Sequence, residues 1–198
     1  VTEVTPFSER VRESLREQLL DSAADLLPSK GFQRLRMADV AAATGVSRQT
    51  VYNEFGSKEA LVEAVAMRTA AEFLEGVDAR LRAAPDVLAG LRDALTFTLR
   101  HASENRLVAS VLGSTEAEDL MPFLTTKSQP VLRPSVELIS THLRERVAGM
   151  DRAQADLIAE NTVRLVFSHM VLPTGPPARA ADDLVRFIAP AITHHDSI

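Results

Sequence analysis

Apolar positions recur at three- and four-residue intervals along nearly the whole chain. Ser8 is placed to cap a first helix, and Val11, Leu15, Leu19, Ala23, Leu26 and Leu27 follow it at helical spacing. Gly31 is a stop signal for that helix. A short helix is predicted over residues 37–44, with a break at Gly45-Val46. Ser47 is placed to cap a second short helix ending near Phe55-Gly56. Ser57 caps a longer one reaching about residue 75, with Ala60, Leu61, Ala64, Val65 and Ala71 on neighbouring positions. Beyond Gly76 the segments lengthen. Pro85 suits a helix start, and Val87, Leu88, Leu91, Leu95, Thr98 and Leu99 form the apolar face that follows. Residues 104–112 read as helical, and 113–126 are interrupted by Pro122. Pro130 and Pro134 fit the opening of a helix that ends before Gly149. Asp151 caps another reaching Leu172, the run PTGPP at 173–177 is a break, and a last helix is predicted over 180–192. No alternating strand pattern and no internal repeat stands out, so the pattern predicts an all-α protein of about nine helices.

The segment from Thr44 to Lys58, TGVSRQTVYNEFGSK, departs from this pattern because it concentrates polar groups between two helix starts. Its inner positions are Val46, Val51 and Phe55, with Val40, Ala41 and Gly45 just before them. That spacing suits two short helices meeting at a steep angle, with a small residue at the crossing and a glycine at the corner. It is a helix-turn-helix pattern. On the outer face, Ser47, Arg48, Gln49 and Thr50 make the first turn of the second helix, which in this motif reaches base edges in the major groove. Arginine donates a pair of hydrogen bonds to guanine, glutamine pairs with adenine, and a threonine methyl packs on the thymine methyl. Tyr52 and Asn53 are placed to reach phosphate from the flank, and Lys58 stands at a helix start suited to phosphate. An ordinary solvated helix with a tight corner gives the same local pattern.

Composition changes the picture in three ways. Apolar residues make up 45% of the 198, enough for a sizeable core. Cysteine is absent, which excludes disulfides and thiolate metal sites and fits a reducing cytoplasm. Three lysines against nineteen arginines suggest a GC-rich bacterial source. The net charge of −5 does not announce a polyanion binder, but residues 30–58 carry Lys30, Arg34, Arg36, Arg48 and Lys58 against Asp39 and Glu54. That is five positive against two negative, a local footprint for phosphate. No basic stretch followed by a continuous apolar one opens the sequence, so no secretory signal is expected. The most apolar run, LVFSHMVL at 165–172, is far short of a membrane span.

The stretch Ala23 to Val65, AADLLPSKGFQRLRMADVAAATGVSRQTVYNEFGSKEALVEAV, resembles the DNA-binding domain of TetR-family transcriptional regulators. Gly31-Phe32, Asp39-Val40-Ala41, Gly45-Val46-Ser47, Tyr52, Phe55 and Ser57-Lys58-Glu59-Ala60-Leu61 stand at that family's intervals. The resemblance implies an N-terminal three-helix helix-turn-helix domain over 8–56, a connecting helix over 57–75, and a larger helical ligand-binding and dimerisation domain over 76–198. It also implies a homodimer on a palindromic operator, usually a repressor released by a small molecule. Residues 47–53 would read bases, with Lys58 near phosphate. Two positions depart from the family's habit. Arg36 stands where threonine often caps the first motif helix, though Arg36 still suits a phosphate. Asn53 and Glu54 follow Tyr52, and Glu54 is expected to point away from the DNA backbone.

In the larger region, Leu91, Leu95, Leu99, Val111, Phe123 and Leu138 are the candidates for a ligand pocket, with His101 and His142 as polar anchors. Most such positions in any helical domain are simply core. Aliphatic residues outnumber aromatics here, which favours an apolar, flexible effector. Glu116, Glu118 and Asp119 read as a solvated acidic loop, and no metal or other cofactor is expected. Leu157, Asn161, Leu165 and Ser168 on one late helix, and Leu184, Phe187 and Ile188 on the last, are the expected dimer interface. No Gly-rich phosphate loop, His-Glu-x-x-His, nucleophile elbow or cysteine nucleophile points to an enzyme. A DNA-binding regulator without a small-molecule ligand, an activator, and a helical enzyme using scattered carboxylates are the alternatives.

Overall fold

Helix ends in this protein follow local capping chemistry. Ser47 caps one short helix by accepting a hydrogen bond from the Thr50 N–H at 3.1 Å. Asp86 and Asp151 do the same for two longer ones, accepting from Ala89 and Gln154, each at 2.8 Å. The structure is a computed structural model and describes residues 7–105 and 129–193. Among them are eight α-helices and no strand: α1 (Phe7–Arg34), α2 (Met37–Thr44), α3 (Arg48–Phe55), α4 (Lys58–Ala83), α5 (Val87–Glu104), α6 (Gln129–Arg146), α7 (Arg152–Val171) and α8 (Pro177–Thr193). The helix expected at 104–112 falls, apart from its first two residues, outside the described residues, as do the acidic run and the candidates Val111 and Phe123.

Three boundaries differ from the sequence expectation. Gly31 breaks α1, at φ 71° and ψ 164°, but the helix resumes to Arg34. The last helix opens at Pro177, where a missing N–H costs a helix nothing. The largest difference is in α4, which runs through Gly76 to Ala83. Gly76 lies inside the helix because the ring of Phe97 packs onto its backbone. A Cβ there would stand 2.8 Å from the ring. The Arg80 guanidinium lies over the same ring at 3.6 Å and donates to the Gly76 carbonyl at 2.6 Å. Tertiary packing here outweighs the roughly 1 kcal/mol by which glycine disfavours a helix interior.

The chain divides into two compact units between Thr69 and Ala70, within α4. In the first, α1, α2 and α3 pack around Leu19, Ala23, Leu27, Val40, Val51, Leu61 and Val65, all buried. Thr44 donates to the Ser22 hydroxyl at 2.9 Å, tying α2 to α1. Arg68 pairs with Glu17 at 2.9 Å and Asp21 at 2.8 Å, tying the first part of α4 to α1. In the second, α6 packs on α7 and α5 on α8. Leu81, Leu91, Leu95, Leu143, Ala159, Ala181 and Ile192 form a continuous aliphatic core. No helix among the described residues is long and apolar enough to cross a membrane.

Candidate nucleic-acid interface

The corner between α2 and α3 is made by Gly45 in the left-handed region, at φ 75° and ψ 25°, where a side chain is strained. The Val46 N–H reaches back to the Ala41 carbonyl at 3.0 Å, closing the end of α2. Arg36 precedes α2 and has no acceptor to offer its free N–H groups. Asp39 supplies half of a capping box instead, accepting from the Arg36 N–H at 3.1 Å. A hydrogen bond from Lys30 at 2.8 Å holds the Asp39 carboxyl below its ordinary pKa. Lys30, counted in the basic footprint, is therefore partly neutralised within the chain.

Helix α3 turns Val51 and Phe55 into the core and leaves Ser47, Arg48, Gln49 and Asn53 exposed. The outward side chains are paired along the helix. Arg48 donates to the Tyr52 hydroxyl at 3.3 Å and its guanidinium lies 5.1 Å from the ring centre. Gln49 donates to Asn53 at 2.8 Å. The Ser47 and Thr50 hydroxyls lie 2.9 Å apart, so Thr50 shares in the cap. Of the eight sequence candidates, Arg36, Arg48, Tyr52 and Lys58 share one concave surface, while Ser47, Gln49, Thr50 and Asn53 lie outside its lining, on the cap and exposed side of α3. Arg36, Arg48, Tyr52, Ser57, Lys58 and the acid Glu59 line this surface of about 500 Å³. Lys58 donates to the Phe32 carbonyl at 3.1 Å and rests 4.4 Å from the centre of the Phe32 ring. An ammonium carries three donors, so two remain for another acceptor.

Two residues of this unit escaped sequence reading. Arg12 and Arg16 on α1 both pair with Glu54, at 3.0 and 2.9 Å. Burial raises the Glu54 pKa, but hydrogen bonds from Arg16 and Arg12 outweigh it and leave the carboxyl below its ordinary value. Contacts 38 and 42 residues apart leave no periodic trace in a sequence.

The second unit places its candidates in two groups. Leu91, Leu95 and Leu99 are buried in the core, and Leu138 is partly buried against it. His101 lies 5.4 Å from the Phe73 ring and 5.7 Å from Phe97, beside Asn105 at 3.2 Å, and burial lowers its pKa. His142 is 6% exposed and, among the described residues, its Nε2 has no hydrogen-bond partner. Burial, then the nearby Arg146, lower its pKa, which favours the neutral ring. An unpaired buried polar atom costs about 1–3 kcal/mol. His142→Leu is therefore expected to stabilise the fold by about 1 kcal/mol. Urea unfolding of both proteins measures this, and a lower midpoint for the variant would refute it.

Of the expected interface residues, Leu157 and Phe187 are 63% and 73% exposed. Asn161 and Ser168 are exposed and Leu165 is half-buried. Leu184 and Ile188 are taken up by the protomer's own core, at 5% and 6% exposure. Among the described residues no group of three histidines or carboxylates is placed to hold a metal ion.

Comparison with known proteins gives the same reading along the chain. Residues 19–65 match the model of bacterial regulatory proteins of the tetR family, and residues 86–190 match the C-terminal domain model of the bacterial tetracyclin repressor. The HTH-type transcriptional regulator AlkX of Mycobacterium tuberculosis is 34% identical over 196 residues, 98% of this chain and 92% of that protein. The HTH-type transcriptional activator FasR of Mycolicibacterium smegmatis is 30% identical over 122 residues, 54% of this chain and 56% of that one. The crystal structure of the TetR family repressor AlkX from Dietzia sp. strain DQ12-45-1b, implicated in biodegradation of n-alkanes, has a TM-score of 0.72. It is 26% identical and covers 89% of this chain and 97% of that one. A corner built on Gly45 and Ser47, inside a match that extends over both units, makes this chain a member of the TetR family of transcriptional regulators and not an enzyme.

Proposed function

We propose that the chain binds a palindromic operator as a homodimer, acts as a repressor in the cytoplasm, and is released by a small, mainly aliphatic effector. The observation that carries this reading is the exposed first turn of α3. Arg48 and Gln49 project from a helix whose other face, Val51 and Phe55, is fixed in the core. In this reading residues 8–56 dock on DNA, 57–75 connect, and 76–198 hold effector and partner. Arg48 and Gln49 read bases, while Arg36, Tyr52, Asn53 and Lys58 meet phosphate around the concave surface. Two such helices, roughly 34–36 Å apart, match successive major grooves on one side of the duplex.

The aliphatic core of the second unit supports an apolar effector, and the Dietzia relative's part in n-alkane degradation points the same way. His101 and His142 are its candidate polar anchors, with Leu91, Leu95, Leu99 and Leu138 as apolar wall. The Dietzia protein is named a repressor, which supports repression, while the activator FasR supports the opposite sign. Selection of duplexes from a random pool tests the DNA reading. The expected product is an inverted repeat with half-site centres one helical turn apart, and failure to enrich any sequence would refute it. Adding n-alkanes, alkanols and fatty acids to the selected complex tests the effector class. Release depends only on the effector's differential affinity for the two states, so at least one should lower DNA affinity.

A further inference from the structure

Glu54 is a carboxylate on the helix that the proposed function sets against a polyanion. It is the penultimate residue of α3, where the helix dipole also disfavours negative charge. Both local fields oppose it, yet its side chain is only 10% exposed. Each of its oxygens accepts from a different arginine of α1. Arg12 Nε donates to Oε2 at 3.0 Å and Arg16 to Oε1 at 2.9 Å. The Arg16 guanidinium also covers the ring of Phe55 at 4.7 Å, and Phe55 belongs to the buried face of α3. The last turn of α3 is therefore fixed to α1 by two charge-assisted bonds and one cation–π contact.

We propose that Glu54 is a positioning residue for sequence discrimination. It holds the end of α3 against α1, and it keeps the Arg12 and Arg16 guanidinium groups away from DNA phosphates. The inference rests on α3 being the base-reading helix. Free guanidinium groups beside the reading helix would bind any duplex, because phosphate contacts carry no sequence information. Each added phosphate contact steepens the salt dependence by about 0.9 in log K against log salt concentration. By occupying both arginines, Glu54 lowers affinity for random DNA more than for the operator.

The test uses the full chain, a duplex selected from a random pool, and a random-sequence duplex of equal length. Glu54→Gln keeps the shape and one acceptor but removes the charge. The expected result is several-fold tighter binding to random duplex, a salt slope steeper by about 1–2 per protomer, and a roughly tenfold fall in the selected-to-random affinity ratio. Adding Arg12→Gln and Arg16→Gln to Glu54→Gln should return the random-duplex affinity and slope to, or below, their original values. A purely structural role would instead weaken both duplexes in parallel, with no change of slope, and that result overturns the proposal. So does a steeper slope that persists once both arginines are gone. Arg48→Ala, measured beside these, separates the two ideas. If it leaves the selected-duplex affinity unchanged, the base-reading assignment has failed. The random-duplex slope of Glu54→Gln still reports on the arginines.

Discussion

Phe187→Asp is expected to leave the chain helical and turn it into a monomer. In the protomer, α8 buries Leu184, Val185, Ile188 and Ile192 on one side and leaves Phe187 73% exposed on the other. Leu157 on α7 is 63% exposed. A ring with so little contact inside its own subunit contributes little to that subunit's core, so its replacement should not unfold it. Across a two-fold interface the same ring counts twice. A buried aromatic anchor is worth about 2–4 kcal/mol, so the pair contributes about 4–8 kcal/mol and the dimer dissociation constant rises by about 10³–10⁶. Sedimentation should show a single subunit mass at micromolar concentration, with the helical circular dichroism retained. A dimer of unchanged affinity would place the interface elsewhere. Leu184→Ala gives the contrasting result. That side chain belongs to the core, so the loss should appear as about 2–5 kcal/mol of protomer stability.

Arg48→Ala is the second large effect. The side chain is exposed and, among the described residues, its partner is Tyr52, one turn along the same helix. Folding stability should change by less than about 0.5 kcal/mol. A bidentate arginine–guanine contact is worth about 1–3 kcal/mol of discrimination. Two copies on a palindrome lose about 2–6 kcal/mol, a fall of roughly 30-fold to 10⁴-fold in affinity for the selected duplex. Binding to random duplex should weaken far less. Tyr52→Phe removes one hydroxyl per protomer, two per dimer, and should cost about 5-fold to 10²-fold. Gel shifts with both duplexes measure all of this. Unchanged selected-duplex affinity in both variants would remove α3 from the reading role.

Much of the first unit was legible because its signals are local. A glycine at the corner, a serine cap three residues before the N–H it accepts from, and two inward residues four apart fix the motif within a dozen positions. The destination of Glu54 was not legible. Its charge gave only the expectation that it avoids a polyanion, and nothing local could name Arg12 and Arg16 as its partners. Gly76 misled in the opposite way. Its intrinsic preference suggests an end to α4, and only the Phe97 ring, arriving from another helix, explains why the helix continues. The apolar stripe of α8 shows a third kind of limit. Periodicity marks Leu184, Phe187 and Ile188 as one broad face. Which part of that face meets the chain's own core depends on how the neighbouring helices pack, so two of the three went inward and one outward.

The chain has a single tyrosine and no tryptophan, and that tyrosine is Tyr52, on α3 against Arg48. Ultraviolet emission of the unlabelled protein is thus dominated by one ring at the proposed docking surface. Titration with duplex becomes an optical assay that needs no dye, and the signal comes from α3 itself.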